Sequence, residues 1–451
     1  MLTLLKNVDT IVSCDEADRI YSATDLWLMD DRIARIGPWD AVPDRVVDAS
    51  DCLLYPGLIN THHHLYQYFT RSLSFVQGLE LFDWLKALYE IWKNLNGDTV
   101  YLSSCAGMAE LLRHGCTTVF DHHYVFPEGA GDLIGRQMEA AQTLGIRFFA
   151  SRGSMDLSVK DGGLPPDSVV QGIDDILKDS RRLLEAYHLD TAGGMRDLAL
   201  APCSPFSVSG DLMRESAALA RSYDARLHTH VGETLDEEAY TLEHFGLRPV
   251  PYMERLGWLG GDVWYAHGIH LSDGDLDLLQ ETGTGIAHCP ASNMKLHSGV
   301  CRVPDILERD IPIGLAVDGS ASNDGSNMME EIRSAYLLHR LHWGERAPSA
   351  YQLLKMATAG SASLLGRSGD LGGIAEGYRA DCLLIKKSRP ELLCAGLAPE
   401  SIFGAVGYHL PCDYVFVNGV LRVSDGQVLG LDGEELYRRG VREIRRLIAG
   451  V

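Results

Sequence analysis

"LLYPGLINTHHHLYQYFTR", residues 53–71, begins as an apolar run and ends in three consecutive histidines, with Gln67 and Arg71 close behind. The run Leu53–Asn60 reads as a buried strand. Side chains alternate along a strand, so His62 and His64 share one side and His63 points the other way. Two imidazoles delivered together at a strand end suit a metal. A zinc or iron(II) ion takes three or more nitrogen or oxygen ligands and keeps an open position for water. His63 is read as a packing residue behind the pair.

That run is the first of eight. Cys116–His122, Arg147–Arg152, Leu198–Ser204, Arg226–Val231, Val263–His267, Gly285–Cys289 and Ile313–Asp318 follow it. Between them lie segments such as "GDLMRESAALARSYD" (210–224), whose apolar residues recur at helical spacing. Strand and helix alternating eight times predict an α/β protein with a (β/α)8 TIM barrel. The flanks differ. Residues 1–55 carry short β-like runs, Thr10–Ser13 and Leu26–Met29, broken by turns. After the barrel the pattern returns to β in "GYRADCLLIKK" (377–387) and "DYVFVNGVLRVSDGQVL" (413–429), where Asn418-Gly419 is a hairpin turn. We therefore expect residues 56–365 to form the barrel. Residues 1–55 and 366–451 would combine into a small β-sandwich, the last 18 residues adding an amphipathic helix. A chain of 451 residues is too long for one ordinary core and suits this division.

Composition narrows the partners. A formal charge of −22 argues against a nucleic acid or an anionic membrane surface, which need a basic face. No apolar stretch approaches the roughly 20 residues of a membrane-crossing helix. The first residues, "MLTLLKNVDTIVSCDEADRI", read as strand and not as a secretory leader. Ten cysteines without regular spacing fit reduced thiols in a cytoplasmic protein. A small molecule is the expected partner.

Barrel chemistry collects at the C-terminal ends of the strands. The first delivers His62 and His64. The fifth, "RLHTHVGE" (226–233), delivers His228, His230 and Glu233, the sixth His267 and the eighth Asp318. His230 and Asp318 complete a ligand set with His62 and His64. Asp318 follows a buried apolar run, where a carboxylate must be paired or ligated. Glu233, three residues beyond His230, is placed for general acid/base work, and His267 for orienting or deprotonating the attacking water.

At this point the motifs resemble a known family. "PGLINTHHH" (56–64), "HTHVGET" (228–234), "AHGIHL" (266–271), "HCPASNMKL" (288–296) and "AVDGSASND" (316–324) are similar, in order, to those of the amidohydrolase superfamily. "GIAEGYRADCLLI" (373–385) and "VFVNGVLRV" (415–423) resemble its C-terminal β region. Strand four, "LALAPCSPFSVS" (198–209), lacks the bridging lysine of binuclear members. The resemblance is therefore to the mononuclear branch of aromatic deaminases and chlorohydrolases. Within it, "HHHLYQYFTRSL", "ELFDWL", "DHHYVFP" and "APCSPFSVS" look most like 8-oxoguanine deaminases. Cys203 stands where adenosine-type deaminases carry histidine. Isoxanthopterin deaminases and hydroxyatrazine-type aminohydrolases share several of these blocks.

The resemblance implies one divalent metal per subunit, zinc first and iron(II) or manganese also suited to three histidines and an aspartate. It implies proton transfer by Glu233, His267 and Asp318, a homo-oligomer, and hydrolytic loss of an amino group from a purine-like heterocycle. In an 8-oxoguanine water attacks C2 while Glu233 protonates N3, and urate and ammonia leave. Gln67, whose amide both donates and accepts, suits a lactam edge. Arg152, ending strand three, is read as a carbonyl contact, and Tyr124 and Cys203 as further pocket residues. Arg71 either faces the pocket or pairs with an acid. His122 and His123 lack the acid or lysine of a second metal site, and His288 touches substrate or fills the rim. The helix "FDWLKALYEIW" (82–92) is read as core or subunit contact.

Overall fold

Gly57 divides the run that opens the barrel. A Cβ at this position would lie 2.1 Å from Thr117 Oγ1, so only glycine lets the chain cross the second barrel strand so closely. The expected single strand Leu53–Asn60 is thus two: Cys52–Pro56 belongs to the sheet of the chain ends, and Leu58–Asn60 starts the barrel. The computed structural model describes residues 1–188 and 194–449.

The barrel strands are Leu58–Asn60, Cys116–Phe120, Arg147–Ser154, Arg196–Pro202, Leu227–Val231, Val263–His267, Gly285–His288 and Ile313–Leu315. They pair in parallel, each with the next in sequence. Ile59, Phe120, Phe149, Ala199, Trp264 and Ala287, from six of the eight strands, form a buried cluster with Ala316 just after the last. The last and first strands meet through side chains and strand ends. Thr61 Oγ1 donates to Leu315 O at 3.1 Å, and Val317 N donates to Asn60 Oδ1 at 3.0 Å. Asp318 N donates to His62 O at 3.1 Å, and a two-residue parallel pair joins His63–His64 to Asp318–Gly319.

The strands from both chain ends join into one nine-stranded sheet. Leu2–Val12 pairs with Ile20–Met29 on one side and with Cys52–Pro56 on the other. Cys382–Lys386 pairs antiparallel to Cys52–Pro56, which brings the two ends of the chain together. Leu5, Ile11, Leu28, Leu54, Leu384 and Phe416 share a separate buried core. The Asn418-Gly419 turn has φ of +52° and +76°, the two left-handed residues of a tight hairpin. The last helix, Gly433–Leu447, turns back onto the barrel, where Arg446 Nη1 donates to Asn94 O at 3.0 Å. Among the described residues no helix is long and apolar enough to cross a membrane.

A buried ion pair ties barrel to sheet. Arg147, first residue of the third barrel strand, donates from Nη2 to Asp381 Oδ1 at 3.1 Å and to Asn418 Oδ1 at 3.2 Å. Asp381 Oδ1 also accepts Asn418 N at 2.6 Å, so the carboxylate anchors the hairpin as well. Asp381→Ala is expected to lower stability by about 3–5 kcal/mol, because it strands a buried guanidinium. The check is the melting temperature, with the double variant Arg147→Met, Asp381→Leu recovering most of the loss.

Candidate active site

Closing the barrel sets imidazoles from the first and fifth strands against a carboxylate from the eighth. Asp318 Oδ1 lies 3.2 Å from His62 Nε2 and 3.3 Å from His64 Nε2, and His64 Nε2 lies 3.3 Å from His230 Nε2. Those separations match the edge of a tetrahedron, about 3.3 Å for ion–ligand bonds of about 2.0 Å. The tautomers agree. His64 Nδ1 donates to His122 O and His230 Nδ1 to Cys203 O, both at 2.6 Å. A carbonyl only accepts, so both rings carry hydrogen on Nδ1 and present a lone pair at Nε2. His228 Nδ1 likewise donates to Trp264 O at 2.9 Å, which makes its Nε2 the acceptor for His62 Nδ1 at 2.8 Å. His62 Nε2 is left buried without a hydrogen bond. Three nitrogen lone pairs and a carboxylate therefore converge, and the donor set fits a divalent ion.

Burial keeps His64 and His230 well below the usual histidine range, as neutral ligands require. Ser292 Oγ and Ser322 Oγ donate to Asp318 Oδ2 at 2.6 and 3.1 Å. Neither serine stands out in the sequence, since each lies in a short helical turn of small polar residues.

Glu233 and His267 sit beside this cluster. Glu233 Oε2 is 3.5 Å from His267 Nε2, which is 4.0 Å from Asp318 Oδ2. Burial pushes the Glu233 carboxyl up to about 7. Its backbone is held by Glu237, whose two carboxylate oxygens accept Gly232 N and Glu233 N, each at 2.9 Å. His267 Nδ1 donates to Asn293 Oδ1 at 2.9 Å, which turns Nε2 toward the two carboxylates. His267 and Asp318 both have left-handed backbones, φ +74° and +64°. Side-chain-bearing residues rarely adopt this conformation, and such strain gathers at functional sites.

A cavity opens onto these groups. Gln67, Tyr124 and Cys203 line it. Gln67 packs directly on Gly319, where a Cβ would come within 1.9 Å of Gln67 Oε1. Burial pushes the Cys203 thiol up to about 12, so it is neutral. Arg152 does not reach the cavity, which corrects its reading as a carbonyl contact. Its Nε donates to Asp179 at 2.7 Å and its Nη2 to Gln171 at 2.8 Å, and the guanidinium stacks 3.9 Å from the Phe126 ring. Arg71 pairs with Glu110 at 2.9 Å.

His122 stacks on His230 with ring centroids 4.7 Å apart and donates from Nε2 to Ala201 O. His123 donates to Val125 O, and His288 faces His339 with Nε2 atoms 3.0 Å apart. The helix Leu81–Trp92 is more than core: Leu81, Trp84 and Leu85, on one face, roof the cavity. Phe206 and Leu296 also line it. These apolar positions follow ordinary helix and loop patterns, so no sequence signal separated them from core.

The amidohydrolase family profile matches residues 53–422. The chain is similar to an 8-oxoguanine deaminase of Pseudomonas aeruginosa, 47% identical over 403 residues, or 89% of each chain. It is similar to a hydroxydechloroatrazine ethylaminohydrolase of Pseudomonas sp. strain ADP, 37% identical over 465 residues, covering 99% of this chain and 96% of the relative. Among solved structures it resembles the atrazine chlorohydrolase of Arthrobacter aurescens TC1 complexed with zinc. That likeness has a TM-score of 0.94 at 30% identity, over 98% of this chain and 100% of the other. With a match across most of its length, and histidine and aspartate donors gathered at the barrel rim, the chain belongs to the amidohydrolase family.

Proposed function

We propose that the protein is a metal-dependent hydrolytic deaminase that converts 8-oxoguanine and water to urate and ammonia. One observation carries the chemistry: three Nε2 lone pairs and the Asp318 carboxylate converge beside the Glu233–His267 pair, on one cavity. Likeness to an 8-oxoguanine deaminase supports the substrate. A divalent ion, zinc first, held by His62, His64, His230 and Asp318, supplies the Lewis acid that makes a water acidic near neutral pH.

The chain's own groups do the rest. Asp318 Oδ2 takes one proton from the attacking water, which His267 Nε2, 4.0 Å away, helps to orient. Glu233, protonated through burial, gives its proton to N3 beside the amino-bearing carbon, so that C2 accepts the water oxygen and becomes tetrahedral. Asp318 returns its proton to the amino group, the C–N bond breaks, and ammonia leaves. The remaining hydroxyl proton goes back to Glu233 as the C2 carbonyl forms. Asn293 and Glu237 touch no reacting atom in this scheme. They position His267 and Glu233. We also propose a homo-oligomeric, cytoplasmic enzyme; the charge of −22 supports the absence of a nucleic-acid partner.

The zinc-loaded protein is expected to release ammonia from 8-oxoguanine with kcat/KM of about 10⁴ M⁻¹s⁻¹ or more. Guanine, isoxanthopterin and hydroxyatrazine should react far more slowly. No release from 8-oxoguanine by protein carrying one equivalent of metal would overturn the reading. Dialysis against a chelator should cut the rate at least ~100-fold, and added zinc should restore it.

Glu233→Gln should lower kcat about 10³-fold with metal content unchanged, because an amide cannot cycle the proton. Glu237→Gln replaces one acceptor with an NH₂ and leaves a backbone N–H unmatched. It should lower kcat about 10-fold or more while KM stays within about 3-fold. Steady-state kinetics beside metal analysis checks both.

A further inference from the structure

Trp84 lines the cavity, is buried, and leaves its indole Nε1–H without a hydrogen-bond partner. The other buried tryptophans among the described residues behave differently. Trp27, Trp92, Trp258 and Trp264 donate to Gly37 O, Thr70 Oγ1, Met213 O and Thr61 O at 2.8–3.2 Å. A buried indole N–H ordinarily finds an acceptor; Trp84 and Trp343 are the two described tryptophans whose buried Nε1 lacks one, and of the two only Trp84 lines the cavity. Leu81 and Leu85 flank it on the roof helix, and both are apolar. A second orphan lines the same cavity: Gln67 Oε1, also buried and also unpartnered. No lysine or arginine lines the cavity. Two residues of the wall thus carry an unpartnered donor and an unpartnered acceptor, with no lysine or arginine beside them among the described residues. Their complement is a neutral planar heterocycle that carries both a carbonyl oxygen and a ring N–H.

We propose that Trp84 Nε1 donates to the oxo oxygen remote from the amino-bearing carbon, and so selects the oxidised purine over guanine. The inference rests on the deaminase reading above and deepens it. In 8-oxoguanine the C8 oxygen lies between two ring N–H groups, on the opposite side of the purine from C2. Guanine offers only a C–H there. Binding guanine would dehydrate the cavity and leave the indole N–H unmatched. A site built to hydrogen-bond a ligand group rejects the analogue lacking it more strongly than a purely apolar pocket can. Trp84 belongs to the first turn of the helix Leu81–Trp92, so the same bond fastens the roof to the ligand.

Trp84→Phe keeps an aromatic ring and removes the N–H. With zinc-loaded protein, kcat/KM for 8-oxoguanine should fall at least ~10-fold while that for guanine changes by less than about 3-fold, narrowing the preference between them. An equal fall for both substrates, or no fall for 8-oxoguanine, would overturn the proposal. Calorimetric binding to the wild-type zinc enzyme keeps the test independent of how the variant folds. Urate, which carries the C8 oxygen, should bind at least ~10-fold more tightly than xanthine, which lacks it, and equal affinities would sink the idea. The two readings fail separately. Wild-type protein that does not turn over 8-oxoguanine refutes the deaminase assignment. Wild-type protein that does, with a preference that survives Trp84→Phe, refutes only the role of the indole.

Discussion

The seam between the first and eighth barrel strands is the constraint on which the site depends. His62 and His64 leave one side of it and Asp318 the other, and their separations of 3.2 and 3.3 Å exist only because the barrel closes there. The seam does not close by a long ladder. It uses the Asn60 amide, the Thr61 hydroxyl and a two-residue pair at the rim. Short side chains thus replace regular pairing where the ligands must converge. The backbone bond from Asp318 N to His62 O then places ligand-bearing residues in register with each other.

Around the seam, orientation comes from groups that touch neither metal nor substrate. Backbone carbonyls of His122 and Cys203 fix two tautomers, and the Trp264 carbonyl, through His228, fixes the third. Bonds of this kind are typical of histidine ligands and raise their basicity. Glu237 and Asn293 do the same for Glu233 and His267. The arrangement concentrates ionisable groups in a dry interior. Burial pushes both Glu233 and Glu237 up to about 7, and His267 and Asp318 hold left-handed backbones. Each such feature costs about 1–3 kcal/mol of stability. The surrounding strands and the Arg147–Asp381 clamp must offset that cost.

Much of this was legible in the sequence, and the physics says which part. Alternation along a strand placed His62 with His64, and apolar runs followed by helical segments marked the eight strands. The closeness of His230, Asp318 and Glu233 to that pair followed from their positions at strand ends. Other features depend on contacts far along the chain. The break at Gly57 comes from Thr117, 60 residues on, and nothing near Gly57 announces it. Arg152 ends a strand as a pocket residue would, yet it turns to Asp179, 27 residues further on. The roof helix has the apolar spacing of any amphipathic helix, and only its position over the barrel mouth gives Leu81, Trp84 and Leu85 their place in the cavity wall.

These differences divide the molecule into two layers. The metal-facing donors stand on or directly after barrel strands, where backbone bonds leave them little freedom. The rest of the cavity wall comes from elsewhere: Gln67 from the 3₁₀ turn after the first strand, Leu81, Trp84 and Leu85 from the roof helix, Tyr124 and Cys203 from segments following the second and fourth strands. Loops and helix faces tolerate substitution better than strand ends whose backbones support a ligand. A barrel of this kind can hold one hydrolytic centre while its roof is rebuilt for different ring systems. In the proposed reading, substrate identity is written in the polar atoms that the cavity wall leaves unmatched, more than in the histidines.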